Sequence, residues 1–341
     1  MLFGYEKESF LNLPTPLEYL PSISKVLGVE FYMKRDDLTN LGVGGNKLRK
    51  LEYLLKDAQN KGADRLLTVG GVQTNHGRLT AAVAAKYGLK CTIACVGKDP
   101  EELSANLLLD RIMGCDIVIK SSDDRDTDEQ LDELVQQLIK EYEENGEIVY
   151  YIPLGGSNEI GMLGYYECAM EIIEQAEAMG IGDARLMSAV GSFGTYLGLF
   201  CGLKNEGAQL DYTGIAIMPF GDLDLEHLED YFNKVKGNLG LGFDADRNSF
   251  DIELGYTRGG YNNRSQEVRD AIYLMARSEG IILDPCYTGK AFAGIVEMIR
   301  EGKIKQGEKI IMLHTGGMPG VYTKHHRLEF EKELYDGVEF R

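Results

Sequence analysis

The chain has 341 residues, 44% of them hydrophobic and 26% charged, which is typical of a globular protein of about two domains. Its 36 basic and 54 acidic residues give a net charge of −18, which argues against general binding to nucleic acid or to an anionic membrane. The sequence contains no apolar run of about 18 residues, so it predicts no transmembrane helix. The N-terminal sequence lacks a cationic region followed by an apolar segment, so we expect no signal peptide.

Short β-branched segments alternate with segments of helical periodicity. The predicted strands are residues 66–69, 91–96, 116–119, 148–152, 186–190, 213–218 and 309–313. The clearest helix has an apolar stripe from Leu131 to Tyr142 with Thr127 and Gln130 as a capping box, and a later helix ends at Gly280. This alternation predicts parallel sheets covered by helices, with ligands bound at the carboxyl ends of strands.

Six cysteines are scattered through the chain without the spacing of a zinc site, so no metal is predicted. They are Cys91, Cys95, Cys115, Cys168, Cys201 and Cys286. We interpret them as reduced core residues of a cytoplasmic protein.

The first glycine-rich turn, residues 42–50, opens a predicted helix with three cations, Lys47, Arg49 and Lys50. The helix dipole disfavours positive charge at this end. The arrangement is explained if an anion binds there, or if a lysine must lose its charge for Schiff-base chemistry. A solvated basic face is the alternative.

The second turn, residues 70–78, follows a predicted strand and contains Gln73, Thr74, Asn75 and His76. Its backbone N–H groups and short polar side chains are suited to binding a carboxylate. Taken alone, His76 is more often a structural residue.

The third turn, residues 191–198, has glycines that let backbone N–H groups surround a phosphate at a helix start. Its spacing matches neither the dinucleotide fingerprint nor a Walker loop. Tight packing against the sheet is the alternative interpretation.

The C-terminal third adds Tyr261 after a glycine pair, residues 283–290 before a predicted helix 291–299, and Thr315 after the last predicted strand. Tyr287, at that helix entry, is a candidate acid or base, although a lone tyrosine is more often structural.

A reactive lysine, a carboxylate loop and a phosphate loop together indicate a pyridoxal-phosphate enzyme acting on an amino acid. Residues 46–53, 73–76 and 283–290 resemble the D-cysteine desulfhydrase / 1-aminocyclopropane-1-carboxylate deaminase family. That family is a branch of the fold type II, tryptophan-synthase-β-like, pyridoxal-phosphate enzymes. The likeness extends from about Pro14 to Tyr322.

The resemblance implies an α/β fold with two open, twisted, mostly parallel sheets flanked by helices. It implies a larger cofactor-binding domain from residues 1–50 and 162–341 and a smaller mobile domain from residues 51–161. The cofactor, pyridoxal 5'-phosphate, would lie in the cleft between them, and a homodimer is typical of the family.

The resemblance also implies roles for single residues. Lys47 would form the Schiff base with the cofactor, Lys50 would meet its phosphate and Asn75 its phenolic oxygen. Tyr261 and Tyr287 would face the substrate as catalytic residues. Gln73, Thr74, Asn75 and His76 would bind the substrate carboxylate. The phosphate cup would contain Ser192, Gly194, Thr195, Tyr196, Leu197 and Gly198.

Two threonines favour one reaction within the family. The deaminase branch has a glutamate and a leucine where this chain has Thr288 and Thr315. Opening a cyclopropane needs a protonated pyridine, whereas a neutral hydroxyl at the ring nitrogen suits β-elimination. We therefore predict elimination from D-cysteine to pyruvate, hydrogen sulfide and ammonia, with Lys47 or a tyrosine removing the Cα proton.

Other functions stay open from the sequence. The chain could deaminate 1-aminocyclopropane-1-carboxylate, or act on L-cysteine, a diaminopropionate or cysteate. A non-catalytic pyridoxal-phosphate carrier or amino-acid-binding regulator would bind the cofactor without turnover. A nucleotide-binding protein is disfavoured because the required motifs are missing.

Overall fold

The structure, a computed structural model, describes residues 1–339. Its strands are β1 (Leu17–Tyr19), β2 (Glu30–Lys34), β3 (Arg65–Val69), β4 (Lys90–Gly97), β5 (Asp116–Ser121), β6 (Val149–Ile152), β7 (Arg185–Val190), β8 (Asp211–Ala216), β9 (Ile252–Glu253) and β10 (Lys309–Leu313). Its helices are α1 (Pro21–Leu27), α2 (Lys47–Asn60), α3 (Asn75–Tyr87), α4 (Ala105–Ile112), α5 (Thr127–Glu144), α6 (Leu163–Ala178), α7 (Gly194–Asn205), α8 (Asp222–Leu239), α9 (Gln266–Glu279), α10 (Thr288–Arg300) and α11 (Lys324–Leu334). All seven predicted strands are present to within two residues at each end.

Contacts divide the chain into two compact units, the first of which consists of residues 1–12 and 39–164. Its sheet has the order β5-β4-β3-β6, and every pairing is parallel. Successive side chains of β3 point to opposite faces, so Leu66 joins one apolar cluster with α2 and α3 while Leu67 joins another with α5. Helices therefore cover both faces of this sheet.

The second unit consists of residues 13–38 and the chain from residue 165 onward. Its sheet has the order β1-β2-β10-β7-β8-β9, and only the β1–β2 pairing is antiparallel. Leu186 and Met187 of β7 again belong to clusters on opposite faces. Two mainly parallel sheets flanked by helices confirm the predicted fold class. The predicted domain boundaries at residues 51 and 161 stay a prediction.

Two helix starts differ from the sequence prediction. The cap of α5 is Asp126, whose carboxylate accepts from the N–H of Asp128 at 2.9 Å and of Glu129 at 3.2 Å, so the predicted capping box of Thr127 and Gln130 is wrong. An aspartate caps as well as a threonine, and here it lies one residue earlier. Helix α10 begins three residues before the predicted 291. The predicted helix end at Gly280 is confirmed, and its φ is 71°.

All six cysteines are buried and unbridged, as predicted for core residues. None of the helices in residues 1–339 has both the length and the apolar character needed to cross a membrane.

Candidate active site

Lys47 is the first residue of α2, directly after the glycine-rich turn. The turn needs glycine at residue 42, where φ is 55° and a Cβ would lie 2.6 Å from the Cβ of Ala82. The Lys47 side chain is half-buried, and its Nζ donates to Asn46 Oδ1 at 3.3 Å. Loss of surrounding water lowers the pKa of Lys47 to about 8. Roughly a tenth of this amine is therefore neutral at pH 7, against less than about one part in a thousand for an ordinary lysine.

Two further basic side chains, Lys50 and His76, converge on Gly156 in the first unit. A Cβ at Gly156 would lie 3.2 Å from His76 Cε1 and 3.7 Å from Lys50 Cδ. Lys50 is fully buried, and its Nζ donates to Gly155 O at 3.1 Å and Ser157 Oγ at 3.3 Å. Burial and the charge of Lys47 hold the pKa of Lys50 well below its usual value.

No carboxylate in the described part of the chain pairs with these lysines. Within residues 1–339, neither Lys47 nor Lys50 forms an ion pair with a carboxylate, and their hydrogen-bond acceptors are neutral oxygens. A buried cation without a counter-ion is costly, so the arrangement favours binding of an anion such as a phosphate.

The turn from β3 into α3 offers donors to a second anion. Thr74 caps α3 by accepting from Gly77 N at 3.2 Å, which leaves its hydroxyl hydrogen available. The backbone N–H groups of Asn75 and His76, in the first turn of α3, donate to no group in the described part of the chain. Together they suit a carboxylate at a helix N-terminus.

The imidazole of His76 is oriented by its neighbour Thr68. The Thr68 hydroxyl donates to Ile152 O at 2.9 Å, so at its 2.9 Å contact with His76 Nε2 it must accept, and the ring hydrogen is on Nε2. Nδ1 is then an unprotonated, buried acceptor that has no hydrogen-bond partner among the described residues. Burial and the two nearby lysines hold the pKa of His76 well below its usual value. The lone pair on Nδ1 would repel a carboxylate. His76 can therefore bind a carboxylate through its backbone N–H but not through its ring.

In the second unit, β7 leads through the glycine-rich turn into α7. Phe193 adopts a left-handed conformation with φ 58°, and its ring contacts Phe220 at 4.9 Å between centroids. This fold starts the helix at Gly194, as a phosphate-binding turn requires. Leu197 N donates to Phe193 O at 2.8 Å, so that N–H is already used inside the helix.

The side chain of Tyr196, predicted in the phosphate cup, packs in the core. It is 1% exposed, stacks on Tyr212 at 4.8 Å between centroids, and donates to Asp251 O at 3.2 Å. The ring fits because Gly214 of β8 has no side chain: a Cβ there would lie 2.9 Å from it. Only the backbone of Tyr196 is left for the predicted phosphate contact.

Asp284 organises the entry to α10, and the sequence analysis missed it. Its carboxylate accepts from the N–H groups of Cys286, Tyr287 and Thr288 at 2.7–2.9 Å and from the Thr288 hydroxyl at 2.8 Å. The signal was the Asp-Pro pair four residues before a threonine, a spacing typical of a turn at a helix start.

The two threonines predicted at the pyridine nitrogen have different environments. The Thr288 hydroxyl is buried, gives its hydrogen to Asp284 and accepts from Asp284 N at 2.9 Å. Thr315, which follows β10, has a hydroxyl without a hydrogen-bond partner in the described residues. Thr315 is therefore the one whose hydroxyl can bond a ligand without breaking an existing contact.

The hydroxyls of Tyr261 and Tyr287 meet at 2.9 Å, and their rings pack edge to face at 5.9 Å between centroids. Burial, then the neighbouring Tyr261, raise the pKa of Tyr287 well above its usual value. Tyr287 is therefore protonated at neutral pH. Lys290, a second residue missed from the sequence, is buried and holds the Tyr261 loop by donating to Gly260 O at 2.6 Å and Ile217 O at 2.7 Å.

Each unit, taken by itself, carries groups that suit pyridoxal 5'-phosphate. In the first unit, an amine with lowered pKa suits its aldehyde, and two lysines that have no carboxylate partner within residues 1–339 suit its negative charge. A glycine-rich helix start suits its phosphate, and the Thr315 hydroxyl suits its ring nitrogen. The first unit brings together Lys47, Lys50 and His76, and the second brings together Tyr261 and Tyr287. The predicted roles of single residues stay predictions.

Comparison with known proteins identifies the class. Residues 9–316 match the family described as pyridoxal-phosphate dependent enzyme, and the chain belongs to it. Members of this family bind pyridoxal 5'-phosphate.

Relatives narrow the class further. The D-cysteine desulfhydrase of Klebsiella pneumoniae is 40% identical, over 96% of this chain and 98% of its own length. A provisionally named 1-aminocyclopropane-1-carboxylate deaminase of Pyrococcus furiosus is 39% identical, over 94% and 95%. A crystal structure of an ACC deaminase homologue superposes with a TM-score of 0.85 at 38% identity, covering 98% of this chain and 97% of the other. The chain is thus a pyridoxal-phosphate-dependent lyase of the deaminase/desulfhydrase group. This membership favours an enzyme over the non-catalytic carrier and the amino-acid-binding regulator considered from the sequence.

The lowered pKa of Lys47 predicts how cofactor uptake depends on pH. The neutral amine attacks an aldehyde, so we expect the rate of uptake by the cofactor-free protein to rise with pH, to reach half its plateau at a pH of about 8 and to level off above that pH. An ordinary lysine, with a pKa of about 10.4, would give a rate that still rises at pH 10. Stopped-flow absorbance measures the rate, and a rise without a plateau would contradict the assignment.

Proposed function

We propose that this protein catalyses α,β-elimination on a small β-substituted amino acid, with D-cysteine as the favoured substrate. The observation that carries the proposal is the pair Thr288 and Thr315, neither of which is a carboxylate. Asp284 is the acid of the turn that contains Thr288. Both of its carboxylate oxygens already accept hydrogen bonds, from backbone N–H groups and from the Thr288 hydroxyl. A neutral Thr315 hydroxyl at the pyridine nitrogen favours the unprotonated ring, which is sufficient when a good leaving group departs.

Lys47 is the base in this proposal, and Tyr287 is a donor. Bound pyridoxal phosphate supplies an electron sink for the charge that develops at Cα. Lys47 Nζ, with its pKa lowered to about 8, takes the Cα proton. Tyr287 keeps its proton because its pKa is raised, so it donates a hydrogen bond to the departing sulfur. The Cβ–S bond breaks, the thiolate takes up a proton, and water converts the remaining three-carbon unit to pyruvate and ammonia.

The start of α3 binds the substrate carboxylate in this proposal. The N–H groups of Asn75 and His76 and the Thr74 hydroxyl are the available donors, and Gln73 helps to shape the loop through its bonds to Ser104 O at 3.1 Å and Asn106 N at 3.0 Å. The phosphate is assigned to Lys50 and to the glycine-rich turn at the start of α7.

Product assays separate the proposed reaction from its main alternative. The purified holoenzyme is incubated with D-cysteine, L-cysteine and 1-aminocyclopropane-1-carboxylate, and sulfide, pyruvate, ammonia and 2-oxobutanoate are measured. We expect sulfide and pyruvate in equal amounts, fastest from D-cysteine. The relative named as a deaminase supports the alternative equally well, and a higher kcat/KM for the cyclopropane substrate would overturn the proposal.

Replacing both threonines with the residues of the deaminase branch tests whether they determine the type of reaction. The double variant Thr288→Glu with Thr315→Leu is expected to lose desulfhydrase activity and to gain cyclopropane-opening activity, because a carboxylate stabilises the protonated pyridine. The ratio of the two kcat/KM values is the measurement. The single variant Thr315→Leu is the control, since it removes the hydroxyl without adding a carboxylate. An unchanged ratio in the double variant contradicts the argument about the ring nitrogen.

We also propose that the protein acts in the cytoplasm as a homodimer. Six unbridged, buried cysteines support a reducing compartment. Light scattering of the purified holoenzyme tests the dimer, and a monomeric mass would contradict it.

A further inference from the structure

The side-chain amide of Asn75 is held in one orientation. Its Oδ1 accepts from Arg78 Nη1 at 3.2 Å and from Asn106 Nδ2 at 2.9 Å. Two donors at one oxygen fix which end of the amide is oxygen and which is nitrogen. The nitrogen, Nδ2, donates to no group among residues 1–339, so Asn75 offers a ligand only a donor.

Arg78 connects this amide to the turn that precedes Lys47. The guanidinium is fully buried, and its Nη2 donates to Gly44 O at 2.8 Å while its Nη1 also donates to Asn106 Oδ1 at 2.8 Å. A planar guanidinium serves these separate acceptors at once, which a single ammonium cannot do in the same geometry.

Asn106, the first-turn residue of α4 that completes the network, is 1% exposed. Besides its bond to Asn75, its Nδ2 donates to Gln73 O at 2.8 Å, and its backbone N–H donates to Gln73 Oε1 at 3.0 Å. The loop predicted to bind the substrate carboxylate is therefore held by Arg78 at Asn75, and by Asn106 at both Asn75 and Gln73.

We propose that Arg78 and Asn106 are positioning residues that keep the amide nitrogen of Asn75 towards the ligand. Asn75 then binds a hydrogen-bond acceptor, such as the ring oxygen of the cofactor, and rejects a donor. The inference rests on the proposed role of Asn75 at that oxygen. Neither Arg78 nor Asn106 needs to touch the cofactor itself.

Asn106→Asp is the sharpest test, because it replaces the amide donor with an acceptor of the same size while an ion pair with Arg78 keeps the site folded. The repelled Oδ1 of Asn75 turns away, and an acceptor meets an acceptor at the cofactor. We expect cofactor affinity, measured by equilibrium dialysis of the holoenzyme, to fall about tenfold or more. The visible absorbance maximum should shift as well. Asn145→Asp, the same change at an exposed helix end, is the control and should alter neither.

A double-mutant cycle with Asn75→Ala separates positioning from general damage. If Asn106 acts through Asn75, Asn106→Asp should have little further effect on affinity once residue 75 is alanine. An undiminished effect in that background overturns the inference, as does normal affinity in the Asn106→Asp single variant. If Asn75→Ala alone leaves affinity and absorbance unchanged, the role of Asn75 fails and the inference fails with it.

Arg78→Lys provides a second variant that keeps the charge. We expect the same absorbance shift and a similar loss of affinity, again suppressed in the Asn75→Ala background. Circular dichroism melting of each holoenzyme reports whether it is folded. A folded Arg78→Lys variant with the original affinity and spectrum would overturn the role of Arg78.

Discussion

Lys47→Ala is expected to abolish the visible absorbance of the bound cofactor and to lower kcat by about 10³-fold or more. The variant removes both the amine proposed to bond the aldehyde and the proposed base for the Cα proton. The neighbouring amine of Lys50 is a poor replacement, because its Nζ already donates to Gly155 O and Ser157 Oγ. Absorbance spectra and steady-state kinetics of the purified variant are the measurements.

Lys56→Ala is the matched control for this experiment. Lys56 lies on the same helix, α2, and its Nζ is 4.0 Å from the exposed Glu6 carboxylate. The control should keep both the spectrum and the activity, because such a surface pair contributes little. A yellow and active Lys47→Ala protein would remove the basis of the assignment.

Tyr287→Phe is expected to lower kcat by about 100-fold while leaving the cofactor spectrum nearly unchanged. The phenol is proposed to donate to the departing sulfur, a contact that strengthens as charge develops on it. The ring is retained, so its edge-to-face packing with Tyr261 persists. Initial rates with D-cysteine and with a substrate that carries a better leaving group measure the effect, which should shrink for the second substrate.

Tyr273→Phe serves as the control for the loss of a hydrogen-bonded phenol, because the Tyr273 hydroxyl donates to Glu333 at 2.6 Å on the surface of the second unit. This variant should keep full activity. Equal losses in the two variants, or no loss in Tyr287→Phe, would contradict the proposed role of Tyr287.

The buried parallel strands were predictable because they are continuous apolar or β-branched segments bounded by glycine or polar residues. Strand β2 was missed because its sequence ends in a lysine. Lys34 is fully buried there only because its Nζ donates to Gln175 Oε1 and Thr15 O, at 2.7 and 2.8 Å, and pairs with Glu171. Those partners are distant in sequence, so no local pattern could reveal them.

Residue types in the site were more predictable than the use of each side chain. The sequence identified the turns that carry Lys47, Asn75 and Tyr287. It could not show that the Thr288 hydroxyl is committed to Asp284 or that the Tyr196 ring stacks on Tyr212. Hydrogen-bond commitment and ring orientation depend on tertiary geometry, which a motif does not encode.

The absence of a side chain at Gly214, on strand β8, affects the glycine-rich turn at residues 191–198 of the second unit. Alanine there would press a methyl group against the Tyr196 ring and against Val190, the last residue of β7, at 2.5 Å. Both residues flank the segment that enters α7, so relief of the clash would displace the backbone donors of that segment. If this turn binds the cofactor phosphate as proposed, Gly214→Ala is therefore expected to weaken that contact from strand β8, at a residue with no chemistry of its own.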